Sequence, residues 1–498
     1  MEAALSVIGE LTATVEKLQR QVDWLSRKLF GKSSEKIDPS QLALGLEPPD
    51  AEEAAKGPEV VETDSGEPRG PRRKHPGRHR LPATLPRVVK VHDVAPEDLV
   101  CGLCQGIKVE FAREVTEKIE IEPARVTVVV HEEPKYACPH CQEGVTMAPM
   151  PPSVLDKGLA EAGAIAHTVV SKIADHLPLY RQEQILARSG VHIDRNTLQD
   201  WYDAAAHAFA PLVALMKADL LAGPILQSDD TRVRVLKKPK GTYNGFLWCY
   251  VSPRGEVVYD FTQGRGGDGP RRFLEGFRGF LQADAYAGYD QIFASGRVTE
   301  VGCLAHARRK FVDARESDVG RVDPILKVIA DLYRVERKAR DEGLDENGRG
   351  ALRQQKSTAM MDSLHALLLS TRKAVLPKSP VAGAIGYALN QWEALRRFLT
   401  DGRLEIDNNS AERALRGIAV GRSNWLFAGS AEGGRRAATL YSIVETCRRQ
   451  AIDPYRYMRD VLGRLPTWPK DALVDLTPKG WKRAFPDLAA AATTVPPQ

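Results

Sequence analysis

The sequence predicts a multidomain protein: an α/β core preceded by a coiled coil, a metal-binding ribbon and a helical region. Three observations carry that reading. A hydrophobic heptad seam opens the chain, two C-x2-C pairs follow a charged linker, and from Ile225 the apolar period shortens from helical to strand-like. The 498 residues are ample for several domains. A composition of 43% hydrophobic and 27% charged residues excludes a fibrous or wholly disordered chain. The net charge of +5, from 70 Lys and Arg against 65 Asp and Glu, is too near neutral to name a partner.

Membrane and secreted classes fall next. Glu2 and Glu10 stand where a signal peptide would need a basic start and an apolar core. The longest charge-free stretch, Ser379–Trp392, has about fourteen residues, short of the ~18 apolar residues of a membrane span. A soluble cytoplasmic protein with no membrane partner is expected. Seven cysteines without a secretion signal speak against a disulfide framework.

Residues 1–36 carry the heptads. Ile8, Val15, Val22 and Leu29 take position a, and Leu11, Leu18 and Leu25 take d. Branched residues at a with Leu at d favour a parallel two-stranded coil, hence a homodimer or higher oligomer. Residues 37–96 form a linker whose charge reverses. Glu47–Glu67 holds eight acids against Lys56 alone, whereas Arg69–Lys90 holds eight bases and no acid. Rich in Pro and Gly, it reads as extended or disordered. Arg72, Arg73, Lys74, Arg78 and Arg80 suit a phosphate backbone or a minor groove, and equally a solvated linker.

Residues 97–146 read as a zinc ribbon. Cys101, Cys104, Cys138 and Cys141 supply four thiolates for a structural Zn(II) with no open coordination position. The 33-residue spacer alternates at Ile119 and Ile121, then at Val126, Val128 and Val130, which predicts a β-hairpin between the knuckles. Residues 151–221 read as helices. PLYRQEQILARSG, a turn at Gly190–Ile193, and DRNTLQDWY with Asp194 as N-cap resemble a helix-turn-helix. Arg195, Asn196 and Gln199 then fall where a recognition helix meets base edges. An ordinary helical hairpin fits the same pattern.

Ile225–Leu226, Val233–Leu236, Phe246–Val251, Val257–Phe261 and Phe280–Ala283 are predicted strands. ILQSDD ends in Asp229 and Asp230, and FLQAD ends in Asp284. Acids at the end of an apolar strand build a core poorly but can hold a divalent metal at a sheet edge. Glu412 lies in DNNSAERALRGIAVGR, a helix that Asp407 or an Asn can cap. Three carboxylates from separate segments supply hard oxygen ligands for two Mg(II) or Mn(II) ions, which serve in-line attack on phosphate. Arg413, Arg416 and Arg422 suit phosphate contacts. Spacing alone does not single out this triple among 65 acids.

Longer strings do. SDDT-R-V-x-V-L, LQADAYAGYD, CLAHARRKF and DNNSAERALR-x-I-A-x-GR-x-NWLFAGS resemble the insertion-sequence transposases of the IS66 group. LFGKSSEK, RHRLPATLPR, the cysteine knuckles, ADHLPLYRQEQILAR and LTPKGWK extend the resemblance over nearly the whole chain. The resemblance implies an RNase H-like catalytic core with a D-D-E triad at Asp229, Asp284 and Glu412. Where the group reads A-D-E-T, this chain reads S-D-D-T, which aligns Asp229 with the catalytic position and Asp230 with the Glu after it. The core would then occupy 222–312 and 396–463, with a helical insertion at 313–395 and a C-terminal tail at 464–498.

The resemblance also places His306 and Arg309 beside the metal centre, in contact with DNA. Taken alone, Cys303-x2-His306 is two ligands short of a zinc site. A tyrosine recombinase using His306, Arg309 and Tyr441 would need its tyrosine much closer in sequence. The expected function is a nucleoid-associated DNA transposase that cleaves at the terminal inverted repeats and joins the ends to target DNA. Small accessory proteins of the same element are implied partners. The competing readings are a non-catalytic zinc-ribbon regulator and an RNase H-like nuclease without strand transfer.

Overall fold

The computed structural model describes residues 126–131, 135–136, 146–147, 152–155, 158–237 and 239–490. The heptads, the basic linker with Arg72, Arg73, Lys74, Arg78 and Arg80, and the cysteines Cys101, Cys104, Cys138 and Cys141 lie outside the described residues. In the ribbon region, β1 (Lys135–Tyr136) and β2 (Thr146–Met147) pair antiparallel, with Lys135 opposite Met147. In sequence they bracket Cys138 and Cys141. Val126–Val130, expected as part of a hairpin, carry no strand, and Val128 is 88% exposed. Alternation marks a segment able to pair; pairing itself makes the strand.

Three helices follow: α1 (Ala162–Ile173), α2 (Leu179–Arg188) and α3 (Arg195–Leu221). The turn before α3 uses Gly190 at φ 78°, and the Asp194 carboxylate accepts the Asn196 N–H at 2.6 Å, capping the helix. Leu198, Trp201, Tyr202, Ala205, Phe209, Leu212, Met216 and Leu220 recur at helical spacing and are buried. They share one hydrophobic cluster with the sheet, so α1, α2 and α3 pack as part of the α/β core. By length and composition α3 is the one helix among the described residues that could span a membrane, which the sequence reading did not anticipate.

The sheet contains β3 (Ile225–Leu236), β4 (Thr242–Val251), β5 (Val257–Thr262), β6 (Gly279–Gln282) and β7 (Val298–Val301), in the order β5-β4-β3-β6-β7. β5, β4 and β3 form an antiparallel meander, while β6 and β7 run parallel to β3. The two strands expected at Ile225–Leu226 and Val233–Leu236 are one. Ser228–Arg232 keep their ladder with Phe246–Tyr250, so Asp229 and Asp230 lie within a strand rather than at its end. Backbone pairing bridges a polar interval that hydrophobic patterning reads as a break. β7, a short VTEV, was not foreseen.

Adjacent residues Ile225 and Leu226 enter different hydrophobic clusters, as strand alternation requires. One cluster is completed by α4 (Leu304–Ala314), α5 (Val319–Asp341), α6 (Thr358–Ala374) and α7 (Pro380–Asn390). Of these helices, α5, α6 and α7 lie within residues 313–395. Inside it, Arg353 is fully buried and donates to both Glu336 oxygens at 2.7 and 2.6 Å and to the carbonyls of Phe398, Asp401 and Leu404.

The other cluster takes in α8 (Asn409–Trp425), α9 (Ala431–Arg449), α10 (Pro454–Arg464) and α11 (Pro478–Ala484). α9 packs on β5 because two glycines admit the Phe261 ring: a Cβ on Gly245 or Gly434 would approach it to 2.7 or 2.6 Å. Of the segment expected as a tail, α11 is packed. Trp481 is fully buried, and its indole N–H donates to Asp460 Oδ2 at 2.8 Å.

Candidate active site

The tetrapeptide Leu-Gln-x-Asp occurs twice, as Leu226–Asp229 and Leu281–Asp284. β3 and β6 pair parallel with Leu226 opposite Leu281 and Gln227 opposite Gln282. Asp229 and Asp284 therefore each lie two residues past a matched pair of glutamines, on neighbouring segments about 4.8 Å apart. The glutamines are buried and bonded, Gln227 Nε2 donating to Gln282 Oε1 at 3.1 Å. Gln227 Nε2 also donates to Asp407 O at 3.1 Å, and Gln282 Nε2 to Gly302 O at 3.1 Å and Glu405 O at 2.8 Å.

The same network seats α8. Gln227 Oε1 accepts the Ala411 N–H at 3.3 Å, and the buried Asn408 amide donates to Ser228 O at 3.2 Å. Asp407 takes up the Asn409 N–H at 3.1 Å. Glu412, in the first turn of α8, is thereby carried to β3 beside Asp229. These glutamines and the bond from Asn408 to Ser228 escaped the sequence reading; the repeated Leu-Gln-x-Asp was the signal available for the glutamines.

The acids are held against their charge. Burial pushes Asp229 up to about 8; the Asp230 N–H at 2.8 Å opposes this, and Glu412, Asp284 and Asp230 push it further up. Asp284 is also raised by burial and relieved by Arg265. Asp230 stands apart. Arg265 grips it with Nε at 3.0 and 3.1 Å and a terminal nitrogen at 2.8 Å, and that nitrogen lies 3.9 Å from Asp284. The guanidinium rests 4.4 Å from the Tyr286 ring centre. Arg265, in a Gly-rich loop after β5, was also missed: a lone arginine between glycines carries no periodic signal.

His306 and Arg309, one turn apart on α4, both face Glu412, with His306 Nε2 at 3.6 Å and an Arg309 nitrogen at 3.7 Å. Burial lowers the His306 pKa against the pull of Glu412. His306 Nδ1 and Glu412 Oε1 are buried without a hydrogen-bond partner. Cys303, at the N-cap of α4, accepts the Asn408 N–H at 3.5 Å. Cys303, His306 and Glu412 each offer a ligand atom within 4.8 Å of the others.

The remaining candidates divide. Arg416 is exposed one turn from Glu412. Arg413 is exposed overall, but partial desolvation of its guanidinium and the charge of Arg449 lower its pKa, and Asp407 and Glu405 oppose them. Arg422 is exposed and donates to Thr231 Oγ1 and Arg232 O, both at 3.0 Å, so it braces β3. Arg195 and Asn196 are exposed, whereas Gln199 donates to Asp203 at 2.7 Å. Tyr441 is 5% exposed, too buried to act as a nucleophile.

Comparison with known proteins bears on this arrangement. Residues 157–436 match the transposase IS66 family, 98–142 the zinc-finger binding domain of transposase IS66, and 442–478 the IS66 C-terminal element. Residues 17–89 match a unit described as transposase C of IS166 homeodomain. Two relatives come from Sinorhizobium fredii (strain NBRC 101917 / NGR234). Uncharacterized protein y4jD is 33% identical over 503 residues, covering 95% of this chain and 96% of the relative. Uncharacterized protein y4qI is 34% identical over 501 residues, covering 95% and 89%. With more than half its length matched by the principal domain and relatives aligned almost end to end, the chain belongs to the IS66 family of transposases.

Proposed function

We propose that this chain is a metal-dependent DNA transposase with an RNase H-like core, using Asp229, Asp284 and Glu412 as its catalytic acids. The observation that carries the reading is the matched Leu-Gln-x-Asp pair on adjacent parallel strands with Glu412 brought alongside by the same buried amides. The five-stranded order, three antiparallel strands followed by two parallel ones, supports the core assignment. An all-carboxylate set whose Asp229 is pushed up to about 8 by burial and its acidic neighbours fits a hard divalent ion. Bound Mg(II) or Mn(II) would supply Lewis-acid activation of a water or 3′-hydroxyl and stabilise the leaving oxygen.

The chain's own groups do the positioning. Asp229, Asp284 and Glu412 would hold the ions. Arg265 occupies Asp230 and so separates it from that set. His306 and Arg309 orient Glu412, and Arg309 and Arg416 offer positive charge to a phosphate approaching the cluster. Cys101, Cys104, Cys138 and Cys141 hold a structural zinc, and the heptads pair protomers so that two DNA ends meet. The DNA partners are the terminal repeats and the target, with the basic linker following the backbone.

The test is Mg(II)-dependent cleavage and joining of element-end DNA, with the element's accessory proteins supplied, by wild type and Asp284→Ala. The expected result is cleavage and strand transfer by wild type alone. Binding without cutting by both proteins would establish the regulator instead, and cutting without joining the nuclease.

A further inference from the structure

We propose that Cys303, His306 and Glu412 form a second metal site, suited to a borderline ion such as Zn(II), whose filling withdraws Glu412 from the acid cluster. The second half of that statement rests on the function proposed above; the site itself does not.

The geometry comes from two helix starts meeting. Cys303 is the N-cap of α4 and His306 lies three residues on, so both side chains share one face of its first turn. Glu412 occupies the first turn of α8. The two starts are stitched by the Leu304 N–H to Ile406 O bond at 3.1 Å and the Asn408 N–H to Cys303 Sγ bond at 3.5 Å. The three ligand atoms all lie within 4.8 Å of one another. Zn–N and Zn–S bonds of ~2.0–2.3 Å in a tetrahedron ask for roughly 3.5 Å between ligands, so an ion would draw the three atoms inward.

The chemistry selects the ion. Thiolate, imidazole and carboxylate together suit Zn(II) or Co(II), whereas Mg(II) takes oxygen and leaves sulfur alone. Position assists the thiolate: it would sit at a helix N-terminus and accept a backbone N–H. The buried thiol is neutral without metal and releases its proton as the sulfur–metal bond forms. A buried atom points the same way, since Glu412 Oε1 lacks any hydrogen-bond partner and lies 3.6 Å from His306 Nε2. Buried polar atoms ordinarily have one, and an ion is a standard way of supplying it. In sequence the pair Cys303-x2-His306 looks incomplete; the fold brings in the third ligand and leaves a fourth position for water.

The experiment uses the full-length protein with its ribbon loaded with zinc. Cobalt(II) is titrated into wild type and Cys303→Ser, and the near-ultraviolet thiolate-to-cobalt absorption is read as a difference, which cancels the ribbon. Wild type is expected to gain the band and one further cobalt per chain, and Cys303→Ser to lose both. Identical spectra overturn the proposal. Should Cys303→Ser fail to fold, Cys303→Ala and cadmium NMR on wild type replace it. A cadmium resonance distinct from the four-sulfur ribbon supports the site, and its absence refutes it. Neither measurement involves DNA, so an inactive protein that shows the band refutes the transposase reading and not the site. In an active protein, zinc is expected to inhibit Mg(II)-dependent cleavage of wild type more strongly than of Cys303→Ser; equal inhibition overturns the withdrawal of Glu412.

Discussion

Replacing Asp229 by Asn should stabilise the metal-free core. The carboxyl lies in a cluster with Glu412 and Asp284, and burial with those charges raises its pKa from 3.8 to about 8. A folded pKa above the unfolded one means that the fold favours the neutral acid. Stability from this group is full below about pH 4, falls by ~1.4 kcal/mol per pH unit as the pH rises, and levels off above about 8. At pH 7 the upper bound of the penalty is therefore about 4 kcal/mol. Water entry and movement of Arg265 toward the cluster return part of it, leaving a gain of about 2 kcal/mol for Asp229→Asn. Asn keeps an oxygen for the Asp230 N–H, so that bond survives. The assay is the thermal midpoint in chelator, followed from pH 5 to pH 9, with a rise of roughly 4 °C at pH 7. Added Mg(II) should raise the wild-type midpoint and leave that of Asp229→Asn nearly unchanged. A variant no more stable than wild type at any pH would refute the claim that these acids are held together against their charge.

Two further perturbations test neighbouring parts of the argument. Arg265→Gln removes the cation that grips Asp230 and sits 3.9 Å from Asp284. Titration calorimetry with Mn(II) should show affinity several-fold tighter than wild type, and unchanged affinity would rule out the counter-ion role. Arg353→Ala strands the buried Glu336 carboxylate, which should cost about 3–5 kcal/mol. Denaturant unfolding should show the loss, and limited proteolysis should then enter 313–395 first; a change below about 1 kcal/mol would mean the fork is not what holds the insertion together.

How much of this was legible in one dimension can be followed through particular residues. Strand and helix identities in the core came from alternation and from helical spacing, which depend on neighbours a few positions away. Asp194 as a cap is local in the same sense, since its partner is two residues on. Residues 464–490 show the limit. Nothing nearby in sequence announces that Trp481 finds Asp460 and a buried seat. Gln199 donates to Asp203 one turn away, which also receives Arg436 from a distant helix, a convergence no local pattern announces.

The sequence by itself determined the acids, their recurrence in Leu-Gln-x-Asp, the cysteine knuckles, the heptads and, through long ordered strings, the family. Those features are covalent order and local period, and both survive in an unfolded chain. Only the tertiary structure decided that β3 runs unbroken through Asp229 and Asp230, and that Arg265 takes one of these acids while Glu412 faces the other. It alone joined Glu412 to Cys303 and His306. Each of those outcomes depends on the register between strands or on which helix starts meet, and register is set by the whole buried surface at once, not by any segment read alone.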